Sequence, residues 1–173
     1  MQLFNWVQFT WDLSRLPLVD LELPEHYQIA LATKDDQKEL RKLFSRVFLL
    51  DPTWNPAVGE TIQTIQSWLD RAFASEMSTC LAVRHGLRII GASVLSLDPQ
   101  ADNHLAPGPC VLMEYRNRGF GTHLLAGSLK ALREAGISRA VAITRENAPA
   151  AKFLYPRFGS VFEPANITSL LAA

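Results

Sequence analysis

The chemistry legible in this sequence concentrates in one run, Arg116-Asn117-Arg118-Gly119-Phe120-Gly121, set between an apolar stretch and an amphipathic one. A turn in that place aims several backbone N–H groups at one point, and a helix N-terminus adds a macrodipole equivalent to about half a positive charge. Gly119 and Gly121 admit a phosphate close to the backbone, while Arg116 and Arg118 bring charge-assisted donors. The expected ligand is a phosphate or pyrophosphate; the plainer alternative is a tight turn that needs glycines for its own sake. Two other nucleotide motifs fail here. A dinucleotide fingerprint wants a third glycine where Leu124 stands, and a phosphate-binding P-loop wants Gly-Lys-Ser/Thr where the chain has Gly121-Thr122-His123.

The remaining reactive side chains are scattered. His26, His85, His104 and His123 share no metal-ligand spacing, so no metal is expected. Cys80 and Cys110 lack CxxC spacing and are too few for a disulfide scaffold. Both are read as reduced core thiols, and Cys110 has no basic neighbour in sequence to make it a nucleophile. Glu114 has two readings: a base for an ammonium substrate, whose pKa near 10 leaves little free amine at neutral pH, or an acid placed before a helix N-terminus. No nucleophile elbow is present.

The elements that must position the turn follow from periodicity. Residues 110–113 read as a strand, residues 122–135 as a helix with Leu125, Leu129 and Leu132 on one face, and Gly136 as its stop. Ala126, Ser128 and Ala131 keep the other faces small. A strand at 140–144 comes next, and a crossover helix of this length predicts that the two strands lie parallel. A short helix then begins near Pro149 and is limited by Pro156. Upstream, residues 27–32 read as a strand and Thr33 as an N-cap with Asp35 and Asp36 behind it. One helix runs to about Leu49 on Leu40, Leu43, Phe44, Val47 and Phe48. A second spans 58–74 on Ile62, Ile65, Trp68, Leu69 and Phe73, after a loop marked by Asp51-Pro52 and Asn55-Pro56. Residues 79–84 and 87–97 form a predicted hairpin around His85-Gly86, and residues 98–109 a loop. The first 24 residues carry Phe4, Trp6, Phe9 and Trp11, whose alternation suits a strand or arm that decorates the body or meets another subunit.

Length and composition bound the rest. A chain of 173 residues accommodates one domain plus an extension, here divided as 1–24 and 25–173. Lys+Arg and Asp+Glu are 17 each, which argues against a nucleic-acid partner held by counterion release. No apolar run reaches the roughly 18 residues of a membrane span, and the N-terminus lacks a basic signal-peptide start. A cytoplasmic protein without membrane attachment is expected.

The run Arg116-Asn117-Arg118-Gly119-Phe120-Gly121 resembles the acetyl-coenzyme A binding motif of the Gcn5-related N-acetyltransferases, Gln/Arg-x-x-Gly-x-Gly/Ala after a strand. The preceding Glu114-Tyr115 and the later Asn147, Ala150, Ala151, Tyr155 and Gly159 fall in the same order as in that family. The departures are Met113 where proline is common, Ser160 where phenylalanine is common, and Asn147 one residue further from the Tyr-Gly pair. The resemblance implies an α/β fold with a mixed central sheet of six or seven strands flanked by about four helices. It also implies a gap between strands 110–113 and 140–144, where pantetheine would bond near Cys110, Val111 and Leu112. The turn from Arg116 to Gly121, with Thr122, would hold the phosphates, and Asn147 would add a cofactor contact. Tyr155 would protonate the departing thiolate, against the alternative that it packs beside Phe153 and Phe158. A small-molecule or protein amine would enter near the two early helices and the 98–109 loop, where His104 is either an acceptor contact or a solvated loop residue. The expected activity is direct acetyl transfer from acetyl-CoA to an amine, in a monomer or homodimer. A non-catalytic acyl-CoA sensor and an oligomeric interaction protein built on the aromatic N-terminus stand as rivals.

Overall fold

Alternating apolar residues in Val7, Phe9 and Trp11 form the strand their pattern predicts, β1 (Trp6–Asp12), but not as a decoration. In the computed structural model, which describes residues 5–17, 21–51 and 58–165, β1 is the middle strand of a three-stranded sheet. It pairs antiparallel with β6 (Arg139–Arg145) on one side and β7 (Val161–Pro164) on the other. Phe9 is 2% and Trp11 0% exposed, so these two aromatics fill the protein's own core. Phe4 and the Asn55-Pro56 turn lie outside the described residues.

A second sheet has the order β2-β3-β4-β5, all antiparallel: β2 (Tyr27–Leu31), β3 (Ser78–His85), β4 (Arg88–Ser96) and β5 (Cys110–Val111). Side chains alternate across β3, as strand geometry requires. Cys80 and Ala82 face α1 (Gln37–Leu49) and α2 (Val58–Ala74), packing with Leu40, Phe44, Ile65 and Leu69. Leu81 and Val83 face the other way, toward Phe120 and Leu124 of α3 (Phe120–Glu134). Farther along α3, Leu125, Leu129 and Leu132 pack on Val7, Phe9 and Trp11, so one helix spans both sheets. A π-helical turn, Ala150–Leu154, stands where the short helix is predicted. Among the described residues, seven strands and about four helices make the mixed α/β architecture expected, with the strands divided between two sheets.

Several boundaries move. Strand 110–113 ends at Val111, because Met113–Tyr115 turn into a 3-10 helix, and α3 starts at Phe120 rather than Thr122. Thr33 begins a 3-10 turn, its N–H donating to Asp36 Oδ2 at 2.8 Å, before α1 starts at Gln37. The strand β7 has no counterpart in the sequence reading, since all four of its residues are exposed and carry no buried-face alternation. The two strands joined by α3 do not pair: β5 ends one sheet and β6 ends the other.

Candidate functional site

The two sheets meet through His104. Its N–H donates to the Val141 carbonyl of β6 at 2.7 Å, and its carbonyl accepts from Ser96 of β4 at 3.0 Å. Its ring is also committed: Nδ1 accepts from the Val141 N–H at 3.0 Å and Nε2–H donates to the Asp98 carbonyl at 3.0 Å. Burial holds this imidazole below its ordinary pKa, in keeping with a neutral tautomer defined by those two bonds. His104 is 1% exposed, so it is neither a solvated loop residue nor an open acceptor contact; it is the rivet between the sheets.

Beyond the rivet the sheets separate. The Leu112 N–H donates to Ile90 at 2.9 Å, so in β5 alternate residues face β4 and the backbone of Val111 faces the gap. The Val111 carbonyl accepts from Arg116 Nε at 3.1 Å. Arg116 thus ties the glycine turn back to β5 through its Nε. Cys110 is 8% exposed, its Sγ donates to the Gly108 carbonyl at 3.3 Å, and burial pushes its thiol up to about 12. A thiol in that state packs and does not attack.

The turn itself is built by left-handed backbone at Asn117 (φ 62°) and Gly119 (φ 85°), a conformation asparagine tolerates and glycine adopts freely. Gly119 is the N-cap of α3, yet no side chain caps that end and no acidic residue stands in its first turn. The leading N–H groups of an α-helix have no partner inside it, so Gly121 and Thr122 present donors here, while the Phe120 ring is buried against Tyr27 at 4.6 Å. Arg118 is exposed and lies over the Tyr115 ring at 5.5 Å. His123, which the sequence reading left unassigned, has Nδ1 2.7 Å from the Gly119 carbonyl and Nε2 3.2 Å from the Glu22 carbonyl. Carbonyl oxygens only accept, so both bonds coexist when both ring nitrogens carry hydrogen.

Glu114 sits in the 3-10 turn with its carboxylate 3.1 Å from Arg46 of α1 and 3.2 Å from Arg88 of β4. A hydrogen bond from its own backbone, followed by the Arg88 bond and the Arg46 charge, holds it below the usual carboxylate range. A carboxylate so held is a weak base. Asn147 is exposed in the turn after β6.

Tyr155 is 3% exposed. Its hydroxyl lies against Gly108, between the His104 rivet and β5, where a Cβ on residue 108 would fall inside the phenol oxygen. Burial pushes its ionisation up, so it keeps its proton across the neutral range. Of the two expected neighbours, Phe158 packs against the buried cluster that holds Tyr155 and Phe153 does not. The ring meets Phe9 edge-on at 5.5 Å and Trp11 at 5.6 Å, whereas Phe153 is 71% exposed. The sequence carries no signal that residues 9, 11 and 155 touch.

A β-strand, an uncapped turn, a helix and a second strand that refuses to pair form an arrangement that recurs in known proteins. The acetyltransferase (GNAT) family model matches residues 26–159. The chain belongs to the GNAT family. Members of the family are acyl- and acetyltransferases that use coenzyme A thioesters and amine acceptors. A GCN5-related N-acetyltransferase from Sphaerobacter thermophilus superposes with a TM-score of 0.65 at 16% identity, over 93% of this chain and 49% of its own. A GCN5-related glucosamine N-acetyltransferase region of a fungal multi-domain β-N-acetylglucosaminidase gives 0.65 at 18% identity, over 92% of this chain and 20% of that one. AAC(6')-Iy in complex with a CoA bisubstrate analogue gives 0.54 at 16% identity, over 78% of this chain and 90% of its own. These likenesses show the GNAT fold. The chain spans 59% and 48% of the length of two further matching structures, so its relatives are often larger. No curated protein matches the sequence. Among the described residues no three His, Cys, Asp or Glu side chains converge as a metal site, and no helix is long and apolar enough to cross a membrane.

Proposed function

We propose that this GNAT protein transfers an acetyl group from acetyl-CoA directly to an amine, with Tyr155 as the acid. The observation that supports the reading is a buried phenol that keeps its proton, its hydroxyl against Gly108 just before β5, in a fold whose α3 begins without a side-chain cap. The thioester supplies an activated acetyl group when bound. Gly121 and Thr122 offer backbone donors to its phosphates, with Arg116 and Arg118 adding charge. Val111 offers its N–H in the gap, while Cys110 and Leu112 shape the strand beside it. As the amine nitrogen bonds the acetyl carbon and the C–S bond breaks, Tyr155 Oη hydrogen-bonds and protonates the departing sulfur; the thiol's pKa, near 8.5 by analogy with cysteine, lies below a phenol's, so the proton shed by the amine on becoming an amide must restore the hydroxyl. Glu114 serves as an anchor between α1, β4 and the turn, since its paired carboxylate is a poor acceptor of the amine's proton. Asn147 remains a secondary contact at the open end of the gap. The protein is read as acting in the cytoplasm on a small-molecule or protein amine.

Binding and turnover are tested together. Acetyl-CoA at one hundred times its dissociation constant should stabilise the fold by about 2.7 kcal/mol, read as a thermal shift. Thiol release from acetyl-CoA across a panel of primary amines should follow, and Tyr155→Phe should lower turnover roughly 10²-fold with affinity unchanged. Binding without thiol release from any amine would mark a sensor instead.

A further inference from the structure

Tyr155 does not orient itself. Its backbone is secured by Ser160 Oγ, which donates to the Tyr155 carbonyl at 2.6 Å, and by its own N–H on Ala150 at 2.8 Å. The ring is a different matter, because its two aromatic neighbours come from the opposite end of the chain. Phe9 and Trp11 sit two apart on β1, so they share one face of that strand, stacked 6.4 Å apart. Tyr155 stands edge-on to both, at interplanar angles of 64° and 87°. Trp11 does one thing more. Its indole Nε1–H donates to the Arg157 carbonyl at 2.9 Å, pinning the chain two residues beyond Tyr155. On the far side the phenol oxygen is stopped by Gly108.

We infer that Trp11 and Phe9 are positioning residues for the acid: β1 sets the tilt at which the Tyr155 hydroxyl meets the gap. This rests on the proposal that Tyr155 protonates the leaving thiolate. Neither residue touches substrate. Each acts through the tyrosine, the indole by fixing the backbone at Arg157 and the two rings by closing the sideways escape of the phenol. Misplacing a reacting group by about 1 Å commonly costs on the order of 10²-fold in rate, so a modest loosening is readable.

The test is a double-mutant cycle on thiol release from acetyl-CoA, with the best amine of the panel as acceptor and water as the background acceptor. Trp11→Phe keeps the apolar ring and removes the N–H; Phe9→Leu keeps the apolar volume and removes the edge contact, and carries the test if the tryptophan variant does not fold. Each should lower kcat roughly 10-fold or more in the protein that keeps Tyr155, with acetyl-CoA affinity unchanged. Each should do almost nothing further in a Tyr155→Phe background, because a group that acts through the tyrosine has nothing left to act on. Additive losses in the two backgrounds, or unchanged kcat in folded Trp11→Phe and Phe9→Leu, overturn the positioning role and leave the acid standing. Unchanged kcat in Tyr155→Phe alone, or no thiol release by the unaltered protein, overturns the acid and the positioning together.

Discussion

Gly108→Ala is the sharpest single perturbation this structure offers. An added methyl group would overlap the Tyr155 hydroxyl and come within 3.0 Å of the ring carbon that bears it. Neither partner can yield cheaply, because Tyr155 is braced by Phe9 and Trp11 behind it, and residue 108 lies four residues past the His104 rivet. The phenol would have to withdraw by roughly 1 Å or more. Overpacking of this kind costs about 1–3 kcal/mol of stability, and a displacement of that size costs on the order of 10²-fold in a step that uses the displaced group. Urea unfolding measures the first quantity and single-turnover thiol release the second. Tyr155→Phe removes the overlapping oxygen, so Gly108→Ala in that background should regain most of its stability while activity stays low. Equal instability in both backgrounds would mean that the methyl group meets something other than the hydroxyl, and the assigned contact would be wrong. Unaltered stability and turnover in Gly108→Ala alone would refute the whole placement of Tyr155.

Other expectations concern the turn, the first strand and the rivet. Gly119→Ala should destabilise by about 1–2 kcal/mol, because its φ of 85° is left-handed, whereas Gly121→Ala should not, since its new methyl would only touch Leu154 at 3.7 Å. Both should weaken acetyl-CoA binding in a titration, and wild-type affinity in Gly121→Ala would take the α3 N-terminus out of the site. Deleting residues 1–24 removes the buried Val7, Phe9, Trp11 and Leu13. At about 1.5–3 kcal/mol each this rivals the roughly 5–15 kcal/mol of a whole domain, so the truncated chain should show no cooperative unfolding transition. His104 binds its proton less readily folded than unfolded, so the stability it contributes is present above the unfolded value near 6.5 and is lost as pH falls toward its lowered folded value. That loss has a slope of at most about 1.4 kcal/mol per pH unit, and His104→Gln should flatten it in urea titrations between neutral and acid pH; an identical slope would show that the proton goes elsewhere.

What the sequence determined by itself was local. Periodicity placed α1, α2 and α3 and most strands, because burial of one face imposes a repeat that any reader can count, and the left-handed demand at Gly119 is written in the residue type. The turn from Arg116 to Gly121 is contiguous, so the proposed anion site needs no distant partner to be recognised. Tertiary structure decided everything that joins residues far apart in the chain. The aromatic N-terminus looked detachable because pairing with β6 and β7 leaves no mark within residues 6–12. His104 looked like a loop histidine because its partners, Asp98 and Val141, reveal themselves only when the sheets meet. Arg116 reads as a pure phosphate donor in sequence but its Nε lies on Val111, and the choice between a base and an acid before a helix for Glu114 turns on Arg46 and Arg88, which sequence does not bring beside it. The strand β7 escaped notice for the complementary reason: an exposed edge strand buries no face, so its pairing with β1 is a matter of backbone hydrogen bonds that no side-chain pattern records.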